Sequence, residues 1–159
     1  LETLARKLNL GSNAVFTGNV PFDEVDGYYS QIDLFVVPRV NERAGRLVSP
    51  MKPFEAMAMG VPIIVSDLPA LVEIAADDRC GVFRHEDPAD LARLAYELYK
   101  NPEARAQMVA RCREWVATER TWAANAQTLA NAYALAHENF KRRRGVQATS
   151  TYAATEVSL

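Results

Sequence analysis

Lys52 and Glu55 stand three positions apart in "SPMKPFEAMAMGVPIIVSD", residues 49–67, where a lysine between two prolines leads into an apolar run broken by one carboxylate. The spacing predicts a short helix that starts near Ser49 and Pro50 and passes into a buried strand. A helix begins with backbone N–H groups that have no partner inside it. Pro50 and Pro53 each remove one, which leaves the Met51 and Lys52 amides as the forward-pointing donors. Two amides, the positive end of a helix dipole and the Lys52 ammonium together suit a phosphate. Glu55 shares their face and can accept hydrogen bonds from hydroxyls on whatever carries that phosphate, a ribose with two vicinal hydroxyls being a good match. The plainer alternative is a solvated Lys–Glu surface pair.

The preceding segment, "PRVNERAGRL", reads as a polar loop with Arg39, Arg43 and Arg46. Guanidinium forks match the paired oxygens of a diphosphate. Glu42 can neutralise one of them, and a solvated loop of mixed charge is the competing reading. Further upstream, Gly18, Asn19 and Val20 follow "AVFT". A glycine there lets backbone come close to a ligand, the edge of a base for instance, and an ordinary tight turn needs the same glycine. Ser66 and Asp67 either reach the same crevice or cap the next helix. His85 and His137 lack metal-ligand spacing and the chain has no Asp-x-Asp pair, so no metal is expected.

These residues need a frame, and the order of apolar runs supplies one. Leu1, Leu4, Ala5 and Leu8 recur at helical spacing until Gly11; "NAVFTG" reads as a strand; "PFDEVDGYYSQI" as a helix with Gly27 weakening its middle. "DLFVVP", "VPIIVSD" and "RCGVFR" read as strands, with a turn or short helix at "LPALVEIA". From Pro88 onward the pattern is helical, with Asp87, Asn101 and Thr121 at the expected caps. Trp115, Trp122, Tyr96, Tyr99 and Tyr133 fall on helical faces and read as core. Residues 141–159 lose the periodicity and read as a disordered tail, the "KRRR" run at its start as a solvated helix end. Strands apolar from end to end that alternate with helices mean a parallel sheet covered on both faces. The expected fold is therefore α/β, a Rossmann-like parallel sheet flanked by helices, with a helical C-terminal end. Ligands in such sheets sit beyond the carboxyl ends of the strands, where the loops after Phe16, Val37 and Val65 fall.

Composition narrows the class. With 49% hydrophobic residues, 24% charged residues and a net charge of −2 in 159 residues, the chain reads as one soluble domain. The acidic balance argues against nucleic acid as a partner. Apolar stretches are too short to span a bilayer, and the first residues lack the features of a signal peptide. No initiator Met is present, so the chain is expected to begin within a longer protein. Cys80 and Cys112 show no metal spacing and fit two buried thiols in a reducing cytosol, a disulfide being the alternative.

"VFTGNVPFDEVDGYYSQIDLFVVPR", "KPFEAMAMGVPIIVSDLPALVEI" and the later "ERTW" resemble the C-terminal, donor-binding domain of the retaining glycosyltransferases of family 4, two-domain GT-B enzymes of the glycosyl transferases group 1. The resemblance extends to about His137, and "EAMAMGVPIIVSD" is its most specific part. It implies that Glu55 binds the ribose hydroxyls, that Lys52 and the Met51 amide line the diphosphate, and that Gly18, Asn19 and Val20 lie near the base. The family's other motif glutamate, eight positions earlier, falls on Leu47 here; "VSPMKPFE" matches a branch pattern V-[ST]-P-x-K-P-x-E. The resemblance further implies a domain over 1–140 that lacks its first strand and helix, and an absent N-terminal acceptor domain.

The expectation is thus a glycosyltransferase fragment, inactive alone, that binds the nucleotide diphosphate of a sugar donor for retaining transfer in glycan or polysaccharide biosynthesis. Lys52, Arg43 and Arg46 would stabilise the leaving group; Glu55, Met51, Lys52, Ser49, Gly18, Asn19, Val20 and Arg39 would bind substrate. No metal or other cofactor is expected. The partners would be the nucleotide-sugar donor and a glycan or lipid-linked acceptor, in the cytoplasm or at the inner face of a membrane. The rivals are a non-catalytic nucleotide-binding or scaffold module and a GT-B-type nucleotide-sugar epimerase.

Overall fold

Three short apolar runs build the sheet. A computed structural model describes residues 1–144 and places β1 at Phe35–Val37, β2 at Ile63–Ser66 and β3 at Gly81–Phe83. All pair in parallel in the order β1-β2-β3, with Val36 opposite Ile64 and Val65 opposite Val82. Ile63, Ile64, Val65 and Ser66 of the central strand are fully buried, as a parallel strand covered on both faces must be. Each aliphatic side chain there stabilises the fold by roughly 1.5–3 kcal/mol.

The helices, in chain order, are α1 (Glu2–Lys7), α2 (Val25–Tyr29), α3 (Arg43–Leu47), α4 (Lys52–Met59), α5 (Pro69–Ala75), α6 (Pro88–Lys100), α7 (Pro102–Glu119) and α8 (Trp122–Arg144). Ala56 and Met57 of α4 and Leu71 and Ile74 of α5 are buried with β2, and α6 packs on β3. Asp87 accepts the Ala89 and Asp90 amides at 3.1 and 3.0 Å, Asn101 the Ala104 amide at 3.0 Å, and Thr121 the Ala124 amide at 3.1 Å. The three cap residues therefore act as their types dictate. Gly60 ends α4 at φ 76°, and the Val61 amide reaches back to the Ala56 carbonyl at 2.9 Å. This is a Schellman-type end that favours glycine at its left-handed position. Two compact units result, Leu1–Glu114 and one that begins at Trp115, largely helical over its described residues. In the second unit the Arg120 guanidinium lies 4.6 Å from the centre of the Trp115 ring. Cys80 and Cys112 are both buried and free, and the Cys112 thiol donates to the Arg79 carbonyl at 2.9 Å. Among the described residues no helix is long and apolar enough to cross a membrane.

Several expectations need correction. Residues 14–18 belong to no strand, although Ala14 is extended at φ −125°, ψ 114°. A strand exists only with a partner, and Val15 and Phe16 stay exposed beside none. The polar loop contains α3, because its Arg, Ala and Leu are good helix formers and α3 packs on α5. Of the aromatic residues read as core only Trp115 is buried; Trp122, Tyr96, Tyr99 and Tyr133 are between 62% and 85% exposed. The Tyr96 ring instead meets the Lys100 ammonium, 5.5 Å from its centre. Helix α8 also takes in residues 141–144, and the rest of the expected tail lies outside the described residues.

Candidate functional site

The start of α4 sets the site's polar groups. Met51 occupies the cap position at φ −78°, ψ −34°, and its carbonyl accepts the Phe54 amide at 3.0 Å. Among the described residues, neither the Met51 nor the Lys52 amide bonds to another backbone group. Pro50 and Pro53 supply no donor, so two amides remain at the positive end of an eight-residue helix. Lys52 is exposed and forms no ion pair among the described residues, so the surface Lys–Glu pair does not form.

One turn further along, Glu55 faces a cleft of about 470 Å³. Lys52 lines the same cleft, and Gly18, Asn19 and Val20 form another part of its wall, with Tyr29 and Phe35 at its apolar side. Residues far apart in the chain thus come together as a cationic group, a carboxylate and a stretch of open backbone. Gly18 sits at φ 65°, and an added Cβ would meet nothing within 4 Å. The glycine is required by backbone conformation rather than by crowding.

The Tyr29 hydroxyl donates to Glu55 Oε2 at 2.9 Å. Burial, and then the Glu55 carboxylate, push the Tyr29 phenol up to about 12. The hydroxyl therefore stays a donor throughout the neutral range. Among the described residues, Glu55 Oε1 has no protein partner. Sequence reasoning missed Tyr29: the pair is 26 residues apart, and "GYYS" shows only two tyrosines in a weak helix.

Other candidates lie elsewhere. Arg43 and Arg46 are exposed on α3 and do not line the cleft, nor do Ser49 and Met51, which are also exposed. Leu47 is 70% exposed at the end of α3. Arg39 lines a separate cavity of about 220 Å³, and its guanidinium donates to the Val48 carbonyl at 3.3 Å. Ser66 and Asp67 neither line the cleft nor cap α5. The Ser66 hydroxyl bonds to the backbone at the end of β1, and Asp67 holds His85. One Asp67 oxygen meets the His85 amide at 2.7 Å and Nδ1 at 2.6 Å, and the amide bond above all keeps the Asp67 carboxyl below its ordinary value. Among the described residues, no group of three or more His, Cys, Asp or Glu is placed to hold a metal.

The cleft belongs to a fold found in known proteins. The chain is 28% identical over 143 residues to an uncharacterized glycosyltransferase of Methanocaldococcus jannaschii, covering 89% of this chain and 35% of that protein. It is 28% identical over 145 residues to D-inositol 3-phosphate glycosyltransferase 2 of Catenulispora acidiphila, covering 91% of this chain and 33% of that one. The chain thus spans about a third of the length of these relatives. Its fold superposes on sucrose-phosphate synthase from Thermosynechococcus elongatus with a TM-score of 0.74 and 24% identity, over 87% of this chain and 34% of that one. Residues 1–115 of the 159 match the model of one family, and the chain belongs to it: the glycosyl transferases group 1.

Proposed function

We propose that the cleft is the donor half-site of a retaining, metal-independent family 4 glycosyltransferase, and that this chain binds the nucleoside diphosphate of the sugar donor. In this reading the base lies along Gly18, Asn19 and Val20, and the ribose hydroxyls donate to Glu55. The diphosphate lies on Lys52 and the Met51 amide, with Arg43 or Arg46 turning toward it from α3. Those groups stabilise the negative charge that grows on the leaving phosphate as the glycosidic bond breaks. The acceptor, a glycan or a lipid-linked sugar, would be bound by residues beyond this stretch. That division agrees with relatives about three times as long as the chain.

One observation carries the reading. Lys52, Glu55 and the Gly18 backbone line one cleft, although Gly18 lies more than thirty residues before the other two in the sequence. Calorimetric titration with UDP, GDP, dTDP and ADP tests it. Saturable binding of one nucleotide that weakens about ten-fold in Glu55→Ala, the scale of one lost charged hydrogen bond, is the expected result. No saturable binding by any of the four would remove the half-site.

Exposed Leu47 at the position of the family's other glutamate favours a second reading, a nucleotide-binding or scaffold module without transfer. It separates from the first at Glu55→Ala: an affinity unchanged by that substitution selects the module.

A further inference from the structure

The donor-site reading leaves the Tyr29 hydroxyl, at the wall of the cleft, without a task. Tyr29 is 7% exposed, and its ring packs against that of Phe35, whose centre lies 5.9 Å away at 44°. Glu55 by contrast is exposed, on a side chain with three rotatable bonds. The rigid partner in the 2.9 Å bond between them is therefore the tyrosine. A phenol has one proton to give, and Oε2 takes it, so Tyr29 has no second proton with which to bind a ligand directly. A carboxylate offers about four lone-pair sites. With one occupied, Oε1 and the remaining site on Oε2 stay open, side by side, on the cleft.

Resting on the donor-site reading, we propose that Tyr29 is a positioning residue: it holds Glu55 by Oε2 so that the carboxylate meets both hydroxyls of a vicinal diol at once, and thereby sets a preference for ribose over deoxyribose. Without that bond the carboxylate must be ordered by the ligand itself, which costs conformational entropy at the moment of binding. A ligand with only one hydroxyl gains little from the fixed geometry.

The test compares the wild-type chain with Tyr29→Phe, which keeps the ring and removes the hydroxyl. UDP, GDP and ADP are each titrated against the 2′-deoxy counterpart, and urea unfolding of both chains is followed in parallel. In Tyr29→Phe the affinity for the ribonucleotide is expected to fall about five-fold, with that for the deoxy nucleotide unchanged. Equal losses for both sugars would make Tyr29 a structural strut and overturn the proposal. Wild-type affinities kept by Tyr29→Phe, while Glu55→Ala weakens binding, overturn the positioning role alone. A wild-type chain that binds no nucleoside diphosphate overturns the donor site and the positioning role together.

Discussion

The Ser66 hydroxyl accepts the Arg39 amide at 2.9 Å and lies 3.1 Å from the Arg39 carbonyl. One side chain at the end of β2 thus ties down the backbone just as it leaves β1, and so fixes the direction in which the segment leading to α3 departs. Ser66 is fully buried, so the Arg39 amide loses a partner that water cannot readily replace. The amide keeps its second bond, to the Val37 carbonyl at 3.1 Å, so Ser66→Ala should lower unfolding free energy by about 1 kcal/mol, the net contribution of one hydrogen bond. A urea midpoint equal to that of the wild type would show that the chain turns the corner without it.

Gly45 presses against the Val40 carbonyl, where an added Cβ would overlap a backbone oxygen that cannot swing away. Gly45→Ala should destabilise the fold by about 1–3 kcal/mol, as overpacking does. Because the same helix carries Arg43 and Arg46, affinity for a nucleoside diphosphate should also fall while that for the bare nucleoside holds. Titration of the two ligands separates these effects; equal losses would exclude the arginines as diphosphate ligands.

Lys52→Met keeps the length of the stem and removes the charge. Binding of a nucleoside diphosphate should weaken about ten-fold, in line with one charge-assisted hydrogen bond, and binding of the nucleoside alone should not change. Unchanged diphosphate affinity would mean that the helix start binds the anion through its amides alone.

The raised Tyr29 phenol also predicts an alkaline effect. Its folded value of about 12 exceeds the usual value near 10. The neutral phenol is therefore favoured by folding, and that stabilisation is complete below about pH 10. It is lost as the pH rises from there through about 12. Urea unfolding at pH 9 and pH 11.5 should show a steeper loss for the wild type than for Tyr29→Phe, which has no phenol to ionise. Parallel losses in both chains would assign the alkaline limb to other groups.

What could be read from the sequence was local. Asp87, Asn101 and Thr121 cap helices because their side chains reach amides two or three residues away, and Gly60 stops α4 for an equally local reason. The strands "FVV", "IIVS" and "GVF" announce themselves as apolar runs too short for helices. What failed depends on partners. "AVFT" has the same appearance as a strand, but no neighbouring strand bonds to it. α3 needs Gly45 to approach the Val40 carbonyl, a contact no spacing rule marks. At the cleft, Lys52, Glu55 and Gly18 were legible because helix starts and glycines carry chemistry in their own geometry. Tyr29 was not, because its partner lies in another helix.

The position of β2 between two parallel neighbours has a consequence for exchange of backbone hydrogens. Its amides and carbonyls are engaged on both sides, whereas β1 is bonded to β2 alone among the described strands. Protection should be highest in β2, lower in β1, and lowest in residues 15–20, which belong to no helix or strand. The cleft therefore has one stiff wall, where α4 runs into the protected centre of the sheet, and one soft wall around Gly18. A ligand bridging the two gains most of its own ordering effect on the soft side. Deuterium uptake would then slow at residues 17–20 on binding, while β2 keeps the rate it already had.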